Sequence, residues 1–143
     1  PHDPVNLTVV AEEALRSVEP SITRNEGLGT VVVTTRFEPL PPILGDSTAL
    51  RAALINVVSN AIDAMPAGGT LEVSTRHVNS DVEVLVRDTG IGMNDEVRRR
   101  CFEPFFTTKP AGIGTGLGLD IVRRLVQHND GTIDVESVPD GLL

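Results

Sequence analysis

The stretch "ALINVVSNAIDAM", from Ala53 to Met65, decides the fold, because it reads as a mostly apolar helix that carries two asparagines one turn apart. Asparagine is a poor helix former, since its side chain competes for nearby backbone groups. Asn56, Asn60 and Asp63 would form one polar stripe beside the apolar stripe of this helix. Taken alone, such a stripe more often marks the solvated shoulder of a core helix than a binding site.

Sequence signals limit this helix at both ends. Asp46 or Ser47 can cap its first turn, and Pro66 with the glycine pair Gly68 and Gly69 stops it. The side chains predicted to face the core are Leu50, Ala53, Leu54, Val57, Ala61 and Met65.

The composition narrows the class of protein. The chain has 143 residues and 40% hydrophobic residues, with four phenylalanines and no tryptophan or tyrosine, so we expect one domain with an aliphatic core. Its net charge of −8 argues against binding nucleic acid or an anionic membrane surface. No apolar run reaches the about 18 residues of a membrane span. The single cysteine, Cys101, cannot form an internal disulfide, so a cytoplasmic domain is predicted.

The chain before the central helix contains a helix, a strand and a loop. Apolar residues at helical spacing predict a helix from Leu7 to Val18 that ends before Pro20. The segment "TVVVTTRF" (30–37) reads as a strand, and the proline-rich "EPLPPILGD" (38–46) as a loop.

The chain after the central helix begins with a hairpin. "TLEVSTR" (70–76) and "VEVLVRD" (82–88) alternate apolar and polar residues, which predicts two antiparallel strands. The remaining predicted elements are helices over 95–102 and 119–129 and a last strand over 131–137. This order of elements predicts an α+β sandwich with helices on one face of a sheet.

A second feature is "VRDTGIGM" (86–93), where a strand ends on Asp88 and a turn with Gly90 and Gly92 follows. A carboxylate at a strand end can accept a hydrogen bond from an exocyclic amine in a pocket, and the glycines let backbone approach a flat ring. The plain alternative is an ordinary strand-to-loop turn. An aspartic protease is disfavoured, because it needs two such carboxylates and the chain has one motif.

A third feature is the loop and helix start "TTKPAGIGTGLGLDIV" (107–122). Backbone N–H groups at a helix start bind phosphates, and Lys109 adds a cation. The Walker pattern fails because Lys109 precedes the glycines, and the Rossmann pattern fails because Leu117 occupies the place of a glycine. The segment from about Thr107 to Gly116 suggests a lid, and its alternative is a flexible surface loop. The alternating glycines are Gly112, Gly114, Gly116 and Gly118.

Together and in this order, the features resemble the catalytic, ATP-binding domain of sensor histidine kinases, within the group that includes type II topoisomerases, Hsp90 chaperones and MutL repair proteins. The resemblance covers nearly the whole chain, is closest to the nitrogen-regulatory and PAS-linked branch, and implies a Bergerat-type α+β two-layer sandwich with a mixed, largely antiparallel sheet. Its four boxes are "NVVSNAIDAM" (56–65, N box), "DTGIGM" (88–93, first glycine box), "FEPFFTTK" (102–109, F box) and "GTGLGL" (114–119, second glycine box).

The resemblance implies roles for residues of these boxes. Asn60 would bind Mg²⁺, with Asn56 as a second candidate ligand, and both would take part in catalysis. Hydrolysing relatives carry a water-activating glutamate at the position of Asn56, so this domain should hold ATP without hydrolysing it rapidly. Asp88 would bind the adenine amino group. The residues expected to bind ATP and Mg²⁺ are Asn56, Asn60, Asp63, Asp88, Gly90, Gly92, Met93, Thr108, Lys109, Gly114, Thr115, Gly116, Leu117, Gly118 and Leu119.

The resemblance also implies partners. In the family, the phosphoacceptor histidine lies on a separate dimerisation hairpin in a His-Glu-x-x-x-Pro context, which His2, His77 and His128 all lack. The chain is thus predicted to be one catalytic domain over 1–143, lacking the family's last strand and the acceptor and sensor domains. It would donate the γ-phosphoryl group to the acceptor hairpin and reach a response regulator only indirectly, with no nucleic-acid or membrane contact.

Three other functions fit part of the pattern. A nucleotide-sensing or partner-binding module without phosphotransfer is disfavoured, because all four boxes are intact. A Ser/Thr kinase of the anti-sigma-factor type is disfavoured by "FEPFFTTKP" (102–110), which resembles the histidine-kinase branch. A hydrolysing ATPase is disfavoured by Asn56, since an amide cannot act as a general base.

Overall fold

The computed structural model describes residues 3–24, 31–65, 68–90 and 118–134. The helix predicted over 95–102 and the predicted lid lie outside these residues. The elements are the strands β1 (Asp3–Val5), β2 (Val31–Phe37), β3 (Ile43–Gly45), β4 (Gly69–Val78) and β5 (Asp81–Asp88) and the helices α1 (Leu7–Arg24), α2 (Ser47–Asp63) and α3 (Gly118–His128).

The main described sheet has the strand order β2-β4-β5. β2 runs parallel to β4, with Val31 opposite Gly69, and β4 runs antiparallel to β5, with Leu71 opposite Asp88. Asn79, with φ of 55°, begins the two-residue turn between β4 and β5, in the left-handed conformation that asparagine tolerates. The predicted hairpin is therefore confirmed, and the described sheet is mixed.

The core lies on one face of this sheet. Along β4, Leu71, Val73 and Thr75 are buried and alternate with residues on the opposite face. On that opposite face, Arg76 and Glu83 form a partly exposed cross-strand ion pair at 3.1 Å. Helices α1 and α2 pack on the apolar face, where the main cluster consists of Ala11, Val18, Val31, Val58, Ala61, Ile62, Met65, Leu71 and Val73. The predicted α+β sandwich with helices on one face is confirmed.

Helix α2 differs from the prediction in its buried stripe. Asp46 caps its N-terminus as predicted, and its side chain accepts hydrogen bonds from the backbone N–H groups of Thr48 and Ala49. Val57, predicted to face the core, is only partly buried. The buried residues of α2 are Leu50, Ala53, Val58, Ala61 and Ile62. The stripe is wider than predicted because α2 packs against α1, the sheet and α3, rather than against a single surface.

Two predicted boundaries in the N-terminal part are wrong. Helix α1 continues through Pro20 to Arg24, because a proline removes one backbone donor while the buried turns before it, including Val18, stay packed. The segment read as a loop contains β3, which pairs antiparallel with β1 and places Leu44 opposite Pro4. A two-stranded edge ladder of three residues tolerates a proline that a central strand would not.

The end of α3 explains why the predicted last strand does not begin at residue 131. Asp130 has φ of 60°, its N–H group bonds to the Gln127 carbonyl, and the Gly131 N–H group bonds to the Val126 carbonyl, both at 3.0 Å. This is the Schellman pattern that closes a helix, so Gly131 belongs to the helix end. Residues 131–134 form no strand, and 135–137 lie outside the described residues.

Candidate functional site

The polar stripe of α2 lies along the C-terminal half of that helix. Asn56 and Asn60 are partly buried and Asp63 is exposed, so the stripe runs from the packed body of the helix towards solvent. At the helix end, the Ala64 N–H group donates to the carbonyls of Asn60 and Ala61 at 3.1 and 3.2 Å. The predicted stripe is therefore present, and its outer end faces solvent.

Asp88 stands at the end of β5 on the helix-facing side of the sheet. It lies directly opposite Leu71, whose side chain is fully buried on that face, and residues opposite each other in an antiparallel pair share a face. Asp88 itself is exposed, so it sits where the space between sheet and helices opens to solvent. The Gly90 N–H group donates to Asp88 Oδ1 at 2.9 Å, which fixes the carboxylate in a local Asx turn.

The turn after Asp88 packs directly on the C-terminal end of α2. A Cβ atom added to Gly90 would overlap the carbonyl oxygen of Ala64, so the two backbones approach as closely as glycine allows. Next to this contact, Thr89 Oγ1 accepts a hydrogen bond from the N–H group of Thr70 on β4 at 3.0 Å. The same hydroxyl lies 3.8 Å from Met65 Sδ. The Asp88 turn and the α2 stripe are thus held at one end of the molecule.

Helix α3 packs against α2. Asn129, just after α3, accepts a 2.7 Å hydrogen bond through Oδ1 from the N–H group of Asp46, the cap of α2, and the two helices pack together beyond this point. Ala53 on α2 and Val122 on α3 are 3% and 1% exposed and belong to neither sheet-facing cluster. These two buried residues lie on the two helices that contact each other.

The lengths of the two helices can be compared, starting from the contact between Asp46 and Asn129. Asn56 lies about 15 Å along α2 from Asp46, and Leu119 lies about 15 Å along α3 from Asn129, at about 1.5 Å of rise per residue. From these lengths we expect the first-turn N–H groups of α3, at Gly118 and Leu119, to lie closer to the C-terminal half of α2 than to its cap.

Asp120 is a buried residue of this region that the sequence did not single out. Its side chain is 5% exposed, and Arg124, one turn later, pairs with its Oδ2 at 3.1 Å. Within the described residues, its Oδ1 has no hydrogen-bond partner. A carboxylate in the first turn also favours the helix through the helix dipole. The spacing of Asp120 and Arg124 was visible in the sequence, but the burial was not.

The described part of the candidate site comprises Asn56, Asn60, Asp63, Asp88, Gly90, Gly118 and Leu119. The other predicted site residues, Gly92, Met93, Thr108, Lys109, Gly114, Thr115, Gly116 and Leu117, lie outside the described residues. The roles proposed for them remain predictions.

The oxygen atoms that this site offers as metal ligands suit Mg²⁺ when a phosphate group also binds the metal. In the described ranges, no group of three or more His, Cys, Asp or Glu residues is placed to hold a metal ion. Asn56 and Asn60 offer amide oxygens, which suit a hard cation that keeps waters and takes phosphate oxygens as its other ligands. A closed all-protein metal cage is therefore not what these residues form.

A recess away from the candidate site lies near the other end of β4. It has a volume of about 360 Å³ and is lined by Asn6, Thr8, Phe37, Glu38, Pro39 and Leu40. Beside it, Thr75 Oγ1 accepts from the Glu38 N–H group at 3.1 Å and donates to the Glu38 carbonyl at 3.2 Å. The Thr75 hydroxyl and the backbone of Glu38 therefore satisfy each other beside this recess.

The sequence matches the family described as histidine kinase-, DNA gyrase B-, and HSP90-like ATPase over residues 45–141. Sporulation kinase C of Bacillus subtilis (strain 168) is 35% identical over 127 residues, which are 87% of this chain and 29% of that protein. The sensor-like histidine kinase SenX3 of Mycobacterium tuberculosis (strain ATCC 25618 / H37Rv) is 44% identical over 101 residues, which are 68% of this chain and 25% of that protein.

The similarity of the fold to solved structures points to the same family. The mycobacterial sensor histidine kinase MprB matches with a TM-score of 0.76 and 31% identity, over 90% of this chain and 80% of that chain. The chain therefore belongs to the histidine kinase-, DNA gyrase B-, and HSP90-like ATPase family and is a nucleotide-binding catalytic domain of the sensor histidine kinase type. It spans between a quarter and a third of the length of these two curated relatives. In the part of the chain that the structure describes, no helix has the length and apolar character needed to cross a membrane.

Proposed function

We propose that this domain binds ATP with Mg²⁺ between the C-terminal half of α2 and the turn Asp88–Gly90, and donates the γ-phosphoryl group to a histidine on a separate helical hairpin. One observation carries this proposal: the contact between Gly90 and Ala64 holds a carboxylate at a strand end beside a helix stripe of amides. A carboxylate suits the amino group of adenine, and the amides suit the metal and phosphates.

Asp88 would select adenine over guanine. Its carboxylate can only accept hydrogen bonds when ionised, and the exocyclic amine of adenine donates them. Guanine has a carbonyl oxygen at the corresponding ring position, so two acceptors would face each other there. The Asx turn to Gly90 orients the carboxylate before the base arrives.

Asn60 and Asn56 would hold the metal at the phosphate end of the site. The cation, when bound, would neutralise part of the triphosphate charge. The N–H groups in the first turn of α3, at Gly118 and Leu119, would bind the phosphates, as the N–H groups at helix starts bind anions. Neither asparagine can deprotonate water, so the domain would retain ATP rather than hydrolyse it rapidly.

Two solved structures support the proposed ligand and partners. ShkA full-length, which matches with a TM-score of 0.74 and 29% identity, was solved in complex with AMPPNP. ThkA, which matches with a TM-score of 0.73 and 25% identity, was solved in complex with the response regulator protein TrrA. For this chain, the direct partner would be the acceptor and dimerisation hairpin of the same kinase, with a response regulator further along and the cytoplasm as the compartment.

The substitution Asp88→Asn tests the nucleotide site. It keeps the shape of the side chain but adds a donor where adenine also donates, and we expect ATP affinity to fall about 10- to 100-fold. Asp81→Asn, at the exposed opposite end of β5, removes the same charge and is the matched control. Calorimetric titration with ATP and Mg²⁺ should show the loss for Asp88→Asn alone. Equal affinities for the two variants would refute the site.

Phosphotransfer is tested separately with γ-labelled ATP. The chain alone should remain unlabelled, because His2, His77 and His128 lack the context of a phosphoacceptor. A separate protein that carries the acceptor hairpin should become labelled weakly, since covalent linkage no longer raises the effective concentration. The product should be labile in acid and stable in base. Label on the chain alone, or an acid-stable product on the hairpin, would contradict this mechanism.

A further inference from the structure

Thr89 lies between two predicted site residues, Asp88 and Gly90, and although the residue as a whole is exposed, its hydroxyl bonds to other groups of the protein. It contacts the first residues of β4 and the end of α2 rather than the open space in front of Asp88. Two structural features account for this polar contact in a turn that carries a predicted ligand-binding residue.

The first reason is a hydrogen bond that continues the strand ladder. The pairing of β4 with β5 ends at Leu71 opposite Asp88, so the next residue of β4, Thr70, has no strand partner for its N–H group in this ladder. Thr89 Oγ1 accepts from that N–H group at 3.0 Å. The hydroxyl therefore replaces a backbone carbonyl and ties the chain to β4 one residue beyond Asp88.

The second reason is the space made for the hydroxyl. Gly69 has φ of 152°, and a Cβ atom at this position would lie 2.5 Å from Thr89 Oγ1 and 2.8 Å from Met65 Sδ. A side chain at residue 69 would displace one of them. The Thr89 hydroxyl donates to the sulfur of Met65, with 3.8 Å between Oγ1 and Sδ. Met65 is a buried residue, 2% exposed.

We propose that Thr89 is a positioning residue for the nucleotide site, an inference that rests on the proposed role of Asp88. Asp88 is held before the turn by its pairing with Leu71 and after it by the Thr89 hydroxyl. The bond from Gly90 N–H to Asp88 Oδ1 fixes its side chain. With both sides of the turn fixed, the carboxylate need not be ordered when ATP binds, which raises affinity.

The hydroxyl also links the adenine end of the site to the metal end. Met65 lies just past the end of α2, and its N–H group bonds to the Ile62 carbonyl of that helix at 3.0 Å. Thr89 thereby fixes the Asp88 turn to the helix that carries Asn60. The distance between the base and phosphate subsites is set by this contact and by the packing of Gly90 on the helix end.

The test is a double-mutant cycle with Thr89→Val, which keeps the shape and removes the hydroxyl, and Asp88→Asn. We expect Thr89→Val to weaken ATP binding about 5-fold, the size expected for the loss of one hydrogen bond. Thr89→Ser, which keeps the hydroxyl, should stay within about 2-fold of the parent. Thr89→Ala is a second variant without the hydroxyl and should show the same loss as Thr89→Val.

The cycle separates positioning from a general loss of structure. If Thr89 acts through Asp88, Thr89→Val should cause no further loss of ATP affinity in the Asp88→Asn background, so the two effects are not additive. Full additivity would overturn the inference, as would parent-like ATP binding by Thr89→Val and Thr89→Ala while Asp88→Asn is impaired. Unchanged ATP binding by Asp88→Asn would instead refute the proposed site itself, and this inference with it.

Discussion

The two ends of α2 are fixed in different ways. At the N-terminal end, side chains make the contacts: Asp46 Oδ1 accepts from the N–H groups of Thr48 and Ala49 at 3.1 and 3.2 Å, and Asn129 Oδ1 accepts from Asp46 N–H. At the C-terminal end, the backbone carbonyl of Ala64 packs against Gly90. Side-chain caps satisfy the N-terminal end, whereas close backbone packing, together with the contact of Thr89 with Met65, holds the C-terminal end.

This difference separates stability from function along one helix. At the N-terminal end, the side chains of Asp46 and Asn129 bond to backbone groups of the protein. At the C-terminal end, Gly90 packs on the carbonyl of Ala64, in the same region as the predicted ligand-binding stripe of Asn56, Asn60 and Asp63. A rigid helix can therefore present polar side chains to a ligand without losing its anchoring.

The largest expected effect comes from Gly90→Ala. The new Cβ atom would overlap the Ala64 carbonyl oxygen. Because the Cβ atom and the carbonyl oxygen are both attached directly to the backbone, the turn or the helix end must move. We expect a loss of about 1–3 kcal/mol in the free energy of unfolding and at least about a 10-fold loss of ATP affinity. Urea unfolding and calorimetric titration measure the two effects.

Gly45→Ala is the matched control at the other end of α2. Its new Cβ atom would meet Asn129 Oδ1, 2.7 Å away, which belongs to a side chain that can shift. We expect a loss of stability with ATP affinity close to that of the parent. If Gly45→Ala weakened ATP binding as much as Gly90→Ala, the two ends would not be functionally distinct.

A smaller effect is expected from Asp46→Ala. Removal of the cap leaves the N–H groups of Thr48 and Ala49 without their side-chain acceptor, which should cost about 1 kcal/mol in the free energy of unfolding. ATP affinity should not change, because the cap lies about 15 Å along the helix from Asn56. Urea unfolding with a parallel ATP titration checks both statements, and reduced affinity in a fully folded variant would count against them.

The smallest expected effect comes from Arg51→Gln, in the first half of α2. Arg51 pairs with Glu13 of α1 at 3.4 Å, and each side chain is 38% exposed, so water and salt screen the pair. We expect a change below about 0.5 kcal/mol in the free energy of unfolding and no change in ATP affinity. A larger loss in urea unfolding would show that the α1–α2 contact matters more than the anchoring of the two ends.

The sequence was sufficient for the elements whose signals are local. The hairpin followed from alternation, and the cap of α2 followed from Asp46 before a helical pattern. The pairing of β1 with β3 was not predictable in this way, because it joins two three-residue strands that are distant in the chain, with Asp3 opposite Gly45 and Val5 opposite Ile43. Neither strand is long enough to show a period.

Burial of particular side chains depended on the neighbours of each helix. Val58 rather than Val57 is buried because α2 is covered by more than one element, which a helical pattern for a single face cannot show. Asp120, in the first turn of α3, is also buried, although charged side chains usually stay exposed. The candidate site was predicted because its four sequence boxes resemble those of the histidine kinase family. The contacts of the Thr89 hydroxyl with Thr70 and Met65 could be seen only in the structure.

The most direct test of the central claim follows backbone amide signals by nuclear magnetic resonance while ATP and Mg²⁺ are added. We expect large shifts at the C-terminal end of α2, at Asn56 to Ala64, and at Asp88 to Gly90, with small shifts at Asp46 to Leu50. Shifts concentrated at the recess beside Thr8 and Glu38, or equal shifts at both ends of α2, would contradict it.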